Sequence, residues 1–414
     1  MNDFSIRDKC RISSCIDADT FVGIMCKNGE FSISFPMGFN ISDDNKGLRK
    51  DILLLVNAIA GTIKHKDSVI QRSSEKAEFA GFPFKAYVTL IYDFYSRGYY
   101  KEKEAQYIVS RRGKIDWNKT IKTQKAYVQG NDVFYLEYVT KKNMVRENEL
   151  ITLIHKYFVY EAFTKIGWLF TSFIPEKPEI KYNARLFESV LKDKLCNTFK
   201  DKNKVLFKSM LEIMQYVANN GIKQDYKYGT YRFEYVWEAL IDKVFGINGK
   251  EEFYPATVWD FGYKKYDVID IYENASLRPD TIMKYNGDFF VLDAKYYKYG
   301  IIPNPGLLPK STDINKQITY GEYIAEQNKF HKQYGDNYKV YNAFIMPYDS
   351  KSQRYDKCDV ITRIGQATGN WKSGTKEYEK VQGILIDTKY LMRAGTRGCS
   401  DEIERMADVI LKYV

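Results

Sequence analysis

Arg278-Pro279-Asp280-Thr281-Ile282-Met283-Lys284-Tyr285-Asn286-Gly287-Asp288-Phe289-Phe290-Val291-Leu292-Asp293-Ala294-Lys295 is the stretch on which the reading of this chain turns. Asn-Gly between two apolar runs signals a β-hairpin, because a two-residue type I′ turn needs positive φ at both central positions. With Tyr285 paired to Asp288, counting outward at constant index sum brings Asp280 opposite Asp293. Directly opposed residues have Cβ atoms roughly 4.5 to 5.5 Å apart, so two acids there repel unless a cation lies between them. Lys295, two residues after Asp293, falls on the same face of the strand.

Two carboxylates and an ammonium on one spot suit phosphodiester chemistry. A hard ion such as Mg²⁺ is held by one or two carboxylates while it keeps waters and phosphate oxygens. Such an ion polarises the phosphoryl oxygen and acidifies water, and a lysine beside it orients that water and offsets charge developing on the phosphate. The plain structural alternative is a pair of acids flanking a turn, with Lys295 a solvated strand end.

Asp280 followed by Asp293-Ala294-Lys295 resembles the PD-(D/E)xK nuclease signature, with Pro279 supplying its proline. A lone acid-x-Lys is weak, since Asp44-Asn45-Lys46, Glu179-Ile180-Lys181, Asp225-Tyr226-Lys227, Asp349-Ser350-Lys351 and Asp387-Thr388-Lys389 also occur. Only the triplet at 293 has an acid paired across an expected hairpin. Asp387-Thr388-Lys389 follows the apolar strand Gly383-Ile384-Leu385-Ile386 and reads as the surface end of a core strand.

Upstream, Phe233, Val236, Trp237, Leu240, Ile241, Val244 and Phe245 mark an amphipathic helix that stops at Gly246. Glu234 and Glu238 lie one turn apart on its flank. The resemblance implies a helix before the hairpin that contributes a further acid to the metal site. The helical wheel puts Glu234 nearer the apolar face, whereas Val236-Trp237-Glu238 favours Glu238, which ranks first. A helix beginning near Ser311-Thr312-Asp313, with Asp313 as N-cap, carries Gln317. In related nucleases a glutamine on this helix approaches the site and the DNA backbone. The resemblance thus implies Asp280, Asp293 and Glu238 as metal ligands for Mg²⁺, with Lys295 and Gln317 completing the catalytic set.

Bulk properties narrow the class. A length of 414 residues allows two or three domains with real cores. The net charge of +10 fits a polyanionic partner such as double-stranded DNA without proving one. Six cysteines form no C-x-x-C pair and three histidines are far apart, which speaks against a structural zinc site or a disulfide framework. Charges at Asp3, Arg7, Asp8, Lys9 and Arg11 break any signal-peptide core, and no apolar run spans a membrane, so a reducing cytoplasm is expected.

The chain reads as three regions. Residues 1 to 110 contain a second Asn-Gly hairpin, Phe21 to Cys26 and Phe31 to Phe35, then helical stretches. Residues 111 to 221 are mixed and then helical, opening on Arg111-Arg112-Gly113-Lys114-Ile115-Asp116-Trp117, where cations around an indole could grip phosphate or simply form a solvated turn entering a sheet. Residues 222 to 414 hold the helix, the hairpin, further strands near Val340 to Met346 and Val381 to Ile386, and a terminal helix. The expected fold class is α/β: a C-terminal PD-(D/E)xK restriction-endonuclease-like core, with a mixed sheet flanked by helices, preceded by an α+β N-terminal region.

A narrower resemblance rests on Phe35-Pro36-Met37-Gly38-Phe39, Gly113-Lys114-Ile115-Asp116-Trp117, Tyr228-Gly229-Thr230 through Trp237-Glu238, Asp293-Ala294-Lys295-Tyr296, and Asp313-Ile314-Asn315-Lys316-Gln317 with Tyr320-Gly321. Together these resemble the LlaJI family of restriction endonucleases, relatives of the McrC nuclease subunit. The resemblance implies a type II-like restriction endodeoxyribonuclease working with a McrB-like GTPase, alongside a cognate DNA methyltransferase. No G-x-x-x-x-G-K-[ST] occurs, since Gly246-Ile247-Asn248-Gly249-Lys250 is too short, so nucleotide hydrolysis falls to another polypeptide. The resemblance further implies that the N-terminal half docks and stimulates that partner, with Gly113 to Trp117 near the contact. Two other readings remain open: a stand-alone repair or junction nuclease, and a non-cutting subunit that activates a partner GTPase.

Overall fold

The computed structural model describes residues 6–14, 20–28, 30–66, 82–146, 149–220, 225–260, 271–273, 276–355, 358–396 and 400–412. Where the sequence suggests three consecutive regions, contacts group the chain into two compact units: Met1–Ala80 with Asp225–Val414, and Gly81–Gln224. The reason lies in strand pairing between distant segments.

The first unit begins with β1 (Cys10–Ile12), β2 (Val22–Lys27), β3 (Glu30–Phe35) and helix α1 (Asn45–Lys66). β2 and β3 form the expected antiparallel hairpin with Lys27 opposite Glu30, and Asn28 takes the positive φ of 53° that its turn needs.

The second unit comprises α2 (Phe84–Arg97), β4 (Glu102–Val109), β5 (Lys114–Ile115), α3 (Trp117–Thr123), β6 (Ala126–Gln129), β7 (Asp132–Tyr135), β8 (Val139–Arg146), α4 (Leu150–Ile166), α5 (Ala184–Asn197) and α6 (Asp201–Asn220). A small sheet of order β4-β8-β5 and the β6-β7 hairpin accompany the helices. Within the helical part His155 is a core residue. Its Nδ1 accepts the Tyr100 N–H at 2.8 Å, and burial, helped by Arg97, pushes the ring's pKa down to about 3.

Returning to the first unit, β9 (Tyr226–Thr230) pairs antiparallel with β2 and completes a sheet of order β1-β3-β2-β9. Gly23 and Gly229 face each other in that pairing, and a Cβ on Gly23 would fall 2.2 Å from the Tyr228 carbonyl oxygen, so only glycine permits the approach. The remaining elements are α7 (Phe233–Phe245), β10 (Val258–Asp260), β11 (Ile271–Glu273), β12 (Thr281–Tyr285), β13 (Asp288–Ala294), α8 (Ser311–Glu326), α9 (Asn328–Tyr334), β14 (Val340–Tyr348), β15 (Ile361–Ala367), β16 (Val381–Asp387), α10 (Thr388–Ala394) and α11 (Ser400–Leu411).

The central sheet runs β12-β13-β14-β16-β15, parallel at β13-β14 and β14-β16 and antiparallel at its two edges. Every residue of β14 is buried, as expected for a parallel strand covered on both faces. The apolar stripe read in α7 is the buried one, Phe233, Val236, Trp237, Leu240, Ile241, Val244 and Phe245. Each such side chain contributes roughly 1.5–3 kcal/mol on removal from water. On α8, Ile318, Tyr320 and Ile324 pack with Phe289, Val291 and Phe344 of the sheet. Gly321 lets that helix close in, since a Cβ there would meet the Asn342 side chain at 2.5 Å. The chain is thus mixed α/β, and among the described residues no helix is long and apolar enough to cross a membrane.

Candidate functional site

The site is built by the tight turn at Asn286-Gly287, whose φ values of 49° and 93° are those of the turn that Asn-Gly favours. Tyr285 pairs with Asp288 and Thr281 with Leu292, so the next step outward sets Asp280 against Asp293 in the register read from the sequence. The Asp280 carboxylate reaches across and accepts the Ala294 N–H through Oδ2 at 2.8 Å. Its backbone is held as well: Lys250 Nζ donates to the Asp280 carbonyl and pairs with Asp242 Oδ1 at 2.7 Å.

Asp293 is buried, and Lys295 Nζ lies 2.7 Å from its Oδ2. The same ammonium reaches Asp313 Oδ1 at 3.0 Å. Asp313 is not the N-cap of α8. It sits at the third helical position, where its Oδ2 accepts the Lys310 N–H at 3.1 Å, and this leaves the other oxygen for Lys295.

Burial, then the charges of Asp293 and Glu238, push the Asp280 carboxyl up to about 8. Asp293 and Glu238 thus both act on Asp280 at the mouth of the hairpin, and Asp293 is itself held by Lys295. Burial alone would lower Lys295, but Asp293 and then Asp313 outweigh it and hold the ammonium above its ordinary pKa. Of the two helix acids, Glu238 is the one whose charge is felt at Asp280, while Glu234 pairs with Arg232 Nε at 2.9 Å.

Gln317 lies on α8. It is 1% exposed, and its Nε2 donates to the Val291 carbonyl at 2.7 Å, so its amide braces β13 from within the core. Among the described residues no group of three or more His, Cys, Asp or Glu side chains is gathered closely enough to hold a metal unaided. The fit to a divalent ion rests on Asp280 and Asp293. They form a two-carboxylate set of the kind a hydrated Mg²⁺ uses, and the upward push on Asp280 is what a bound cation would relieve.

Sequence reasoning missed Asp313 as a partner of Lys295, and Asp242 with Lys250 as supports of Asp280. Asp242 follows Glu238 by one helical turn, which is the one local signal available. The contact between Lys250 and Asp280 spans thirty residues and leaves none.

A second surface lies in the other unit. Asp116 caps α3 by accepting the Lys119 N–H at 3.0 Å, and β5 just before it pairs with β8. Trp117, Ile121, Val128, Val133 and Leu136 are exposed in this part of the unit, as are the cations Arg111, Arg112 and Lys114.

A mixed α/β protein with opposed acids and a lysine gathered at strand ends is the class this geometry defines. The chain belongs to the LlaJI restriction endonuclease family, whose model matches residues 21–363. It is similar to a component, YdjA, of the type II restriction enzyme BsuMI of Bacillus subtilis (strain 168), at 26% identity over 276 residues, or 62% of this chain and 56% of the relative. The match thus spans little more than half the length of that curated relative. Among solved structures it is similar to a chain of the refined half-complex from a tetradecameric assembly of Thermococcus gammatolerans McrB AAA+ hexamers with bound McrC. That likeness has a TM-score of 0.36 and 14% identity, and it covers 93% of this chain and 83% of the other.

Proposed function

We propose that this protein is the cleaving component of a DNA restriction system, a Mg²⁺-dependent endonuclease with a PD-(D/E)xK site. The observation that carries the reading is the pair Asp280 and Asp293 across the hairpin with Lys295 Nζ 2.7 Å from Asp293. Membership of a restriction endonuclease family supports it.

In this reading the Asp280 and Asp293 carboxylates hold the ion, with Glu238 joining directly or through water. A bound Mg²⁺ supplies Lewis acidity to the phosphoryl group and lowers the pKa of water at the site. Lys295 keeps its Nζ charged between Asp293 and Asp313, from which it donates a hydrogen bond to the attacking water and offsets charge growing on the phosphate. Gln317 acts indirectly by fixing the strand that carries Asp293. The Ala294 N–H aims Asp280 at the same point.

The partner in this reading is a McrB-like GTPase, since the chain carries no phosphate-binding loop of its own. The exposed apolar side chains around Trp117 are the candidate contact, because grouped apolar surface of this kind marks interaction sites. A methyltransferase of the same system would protect the host DNA.

The test is cleavage of supercoiled plasmid with Mg²⁺, with and without the product of an adjacent GTPase gene and GTP. Nicking or linearisation that EDTA stops, and that Asp293→Ala abolishes in a folded protein, is the expected result. Full cleavage by folded Asp293→Ala would overturn the assignment. Stimulated GTP hydrolysis with no cutting would point instead to the activating-subunit reading.

A further inference from the structure

The stretch Phe35-Pro36-Met37-Gly38-Phe39, which no part of the proposed chemistry uses, leaves the end of β3 and meets the residue after Lys295. The Met37 N–H donates to the Tyr296 hydroxyl at 2.7 Å, and Tyr296 is the residue directly after Lys295. The Tyr296 ring lies against Phe233 and Trp237 of α7, at centroid distances of 5.4 and 5.8 Å. Trp237 precedes Glu238 in the chain. The Ile345 carbonyl then accepts both the Trp237 indole N–H at 3.3 Å and the Lys295 backbone N–H at 2.9 Å.

These contacts close a ring through Lys295, Tyr296, Trp237 and Ile345, and Met37 joins it at the Tyr296 hydroxyl. The strap that feeds it is itself fixed. The Met37 carbonyl accepts the Thr388 hydroxyl at 2.8 Å. Gly38 has a φ of 70°, and a Cβ there would lie 2.7 Å from Thr388 Oγ1 and 2.8 Å from the Tyr348 carbonyl carbon, so no other residue keeps this path.

We infer that Tyr296, pinned by the 35–39 strap, is a positioning residue that sets Lys295 and the Glu238-bearing helix against each other. The inference rests on the nuclease reading for its consequence and on the ring of contacts for its geometry. The Met37 N–H reaches the Tyr296 hydroxyl across 259 residues of sequence, so the strap is tied to the residue after Lys295 only once both have folded. It gives a rigid reference for a lysine whose productive position tolerates little error, since a misplacement of about 1 Å costs on the order of a hundredfold in rate.

The test uses the full chain, with the GTPase product and GTP if cutting requires them, and supercoiled plasmid as substrate. Tyr296→Phe removes the hydroxyl that accepts the Met37 N–H and should lower kcat by about tenfold while KM for the plasmid stays put. Gly38→Ala, remote from the reacting groups, should lower kcat in the same way, and the double variant should be no worse than the poorer single one, because both break one linkage. Wild-type kcat in Tyr296→Phe, or additive losses in the double variant, would overturn the inference.

Amide hydrogen exchange keeps the inference separate from the nuclease reading. In Tyr296→Phe, peptides covering 233–238 and 294–297 should exchange faster together with 36–39. Faster exchange confined to 36–39 refutes the positioning role whether or not the wild-type protein cuts DNA.

Discussion

Two strands of the central sheet end in the same three-residue pattern, Asp293-Ala294-Lys295 on β13 and Asp387-Thr388-Lys389 on β16, and their surroundings differ in kind. At the second, every charge is answered. Asp387 Oδ2 accepts the Ser350 N–H at 2.9 Å and its hydroxyl at 2.7 Å, while Oδ1 caps α10 by accepting the Tyr390 N–H at 2.7 Å. Lys389 Nζ donates to the Asn40 carbonyl and Ser42 Oγ, both at 2.9 Å, and to buried Asp51 at 2.7 Å. At the first, an acid stands across from an acid with a third close enough to matter. Satisfied charges hold a fold together, and crowded like charges leave an appetite for a cation.

That contrast is broken most sharply by removing one acid. Asp293→Ala should reduce plasmid cleavage by about a thousandfold or more, the scale of losing a main electrostatic contribution to catalysis. Thermal melting of the same variant above pH 8, where Asp280 is charged as well, should show no loss of stability, because like-charge repulsion goes with the side chain. Stability loss with retained cutting would reverse the roles assigned to the two triplets.

Lys389→Met is the counterpart. It strands Asp51 without its buried cation and should cost about 3–5 kcal/mol in urea unfolding, with catalysis per folded molecule unchanged. A loss below about 1 kcal/mol would mean that the pair is no more than a surface bridge.

The acids also predict a pH dependence of metal-free stability. Asp280 is pushed up to about 8 in the fold from the ordinary 3.8, so between these values the folded state holds a proton that the unfolded chain has released. Stability from this group is therefore greatest at low pH and is lost as pH rises through about 8. Burial also raises Asp387, against the pull of Ser350, so part of any such slope belongs to it. Asp280→Asn, or added Mg²⁺, should flatten the Asp280 share in melting curves recorded from pH 5 to 9. An unchanged slope in Asp280→Asn would show that the opposed acids do not repel as drawn.

The smallest effect is expected at Asp313→Asn. Lys295 keeps its bond to Asp293 and loses one of its two carboxylate partners, so cleavage should fall by about tenfold or less. No change would leave Asp293 as sufficient holder of the amine.

How much of this was legible depended on sequence separation. Asn286-Gly287 dictates its own turn, and a turn dictates register, so Asp280 opposite Asp293 follows from eighteen consecutive letters. The stripe on α7 was equally local. What escaped was non-local: Lys389 meets Asp51 across 338 residues, so the triplet read as a strand end at the surface is buried instead. Asp313 looked like a helix cap because Ser-Thr-Asp before a helical run is a capping signal. The structure puts the N-cap three residues earlier, at Lys310, and turns the Asp313 side chain to Lys295. Gln317 carries a role by family likeness, and no local pattern reveals that its Nε2 donates to the Val291 carbonyl.

One feature of the architecture also orders events on the ribosome. β2 acquires its neighbour β9 only after residues 81–224 have been made. At ordinary elongation rates of 5–20 residues per second, that wait is on the order of ten seconds. During it the nascent β2 offers an open edge of backbone donors and acceptors, the kind of edge that invites wrong pairing. The intervening stretch, grouped as a unit of its own, has time to fold first. A chain released before residue 226 would lack β9 and leave the four-stranded sheet incomplete.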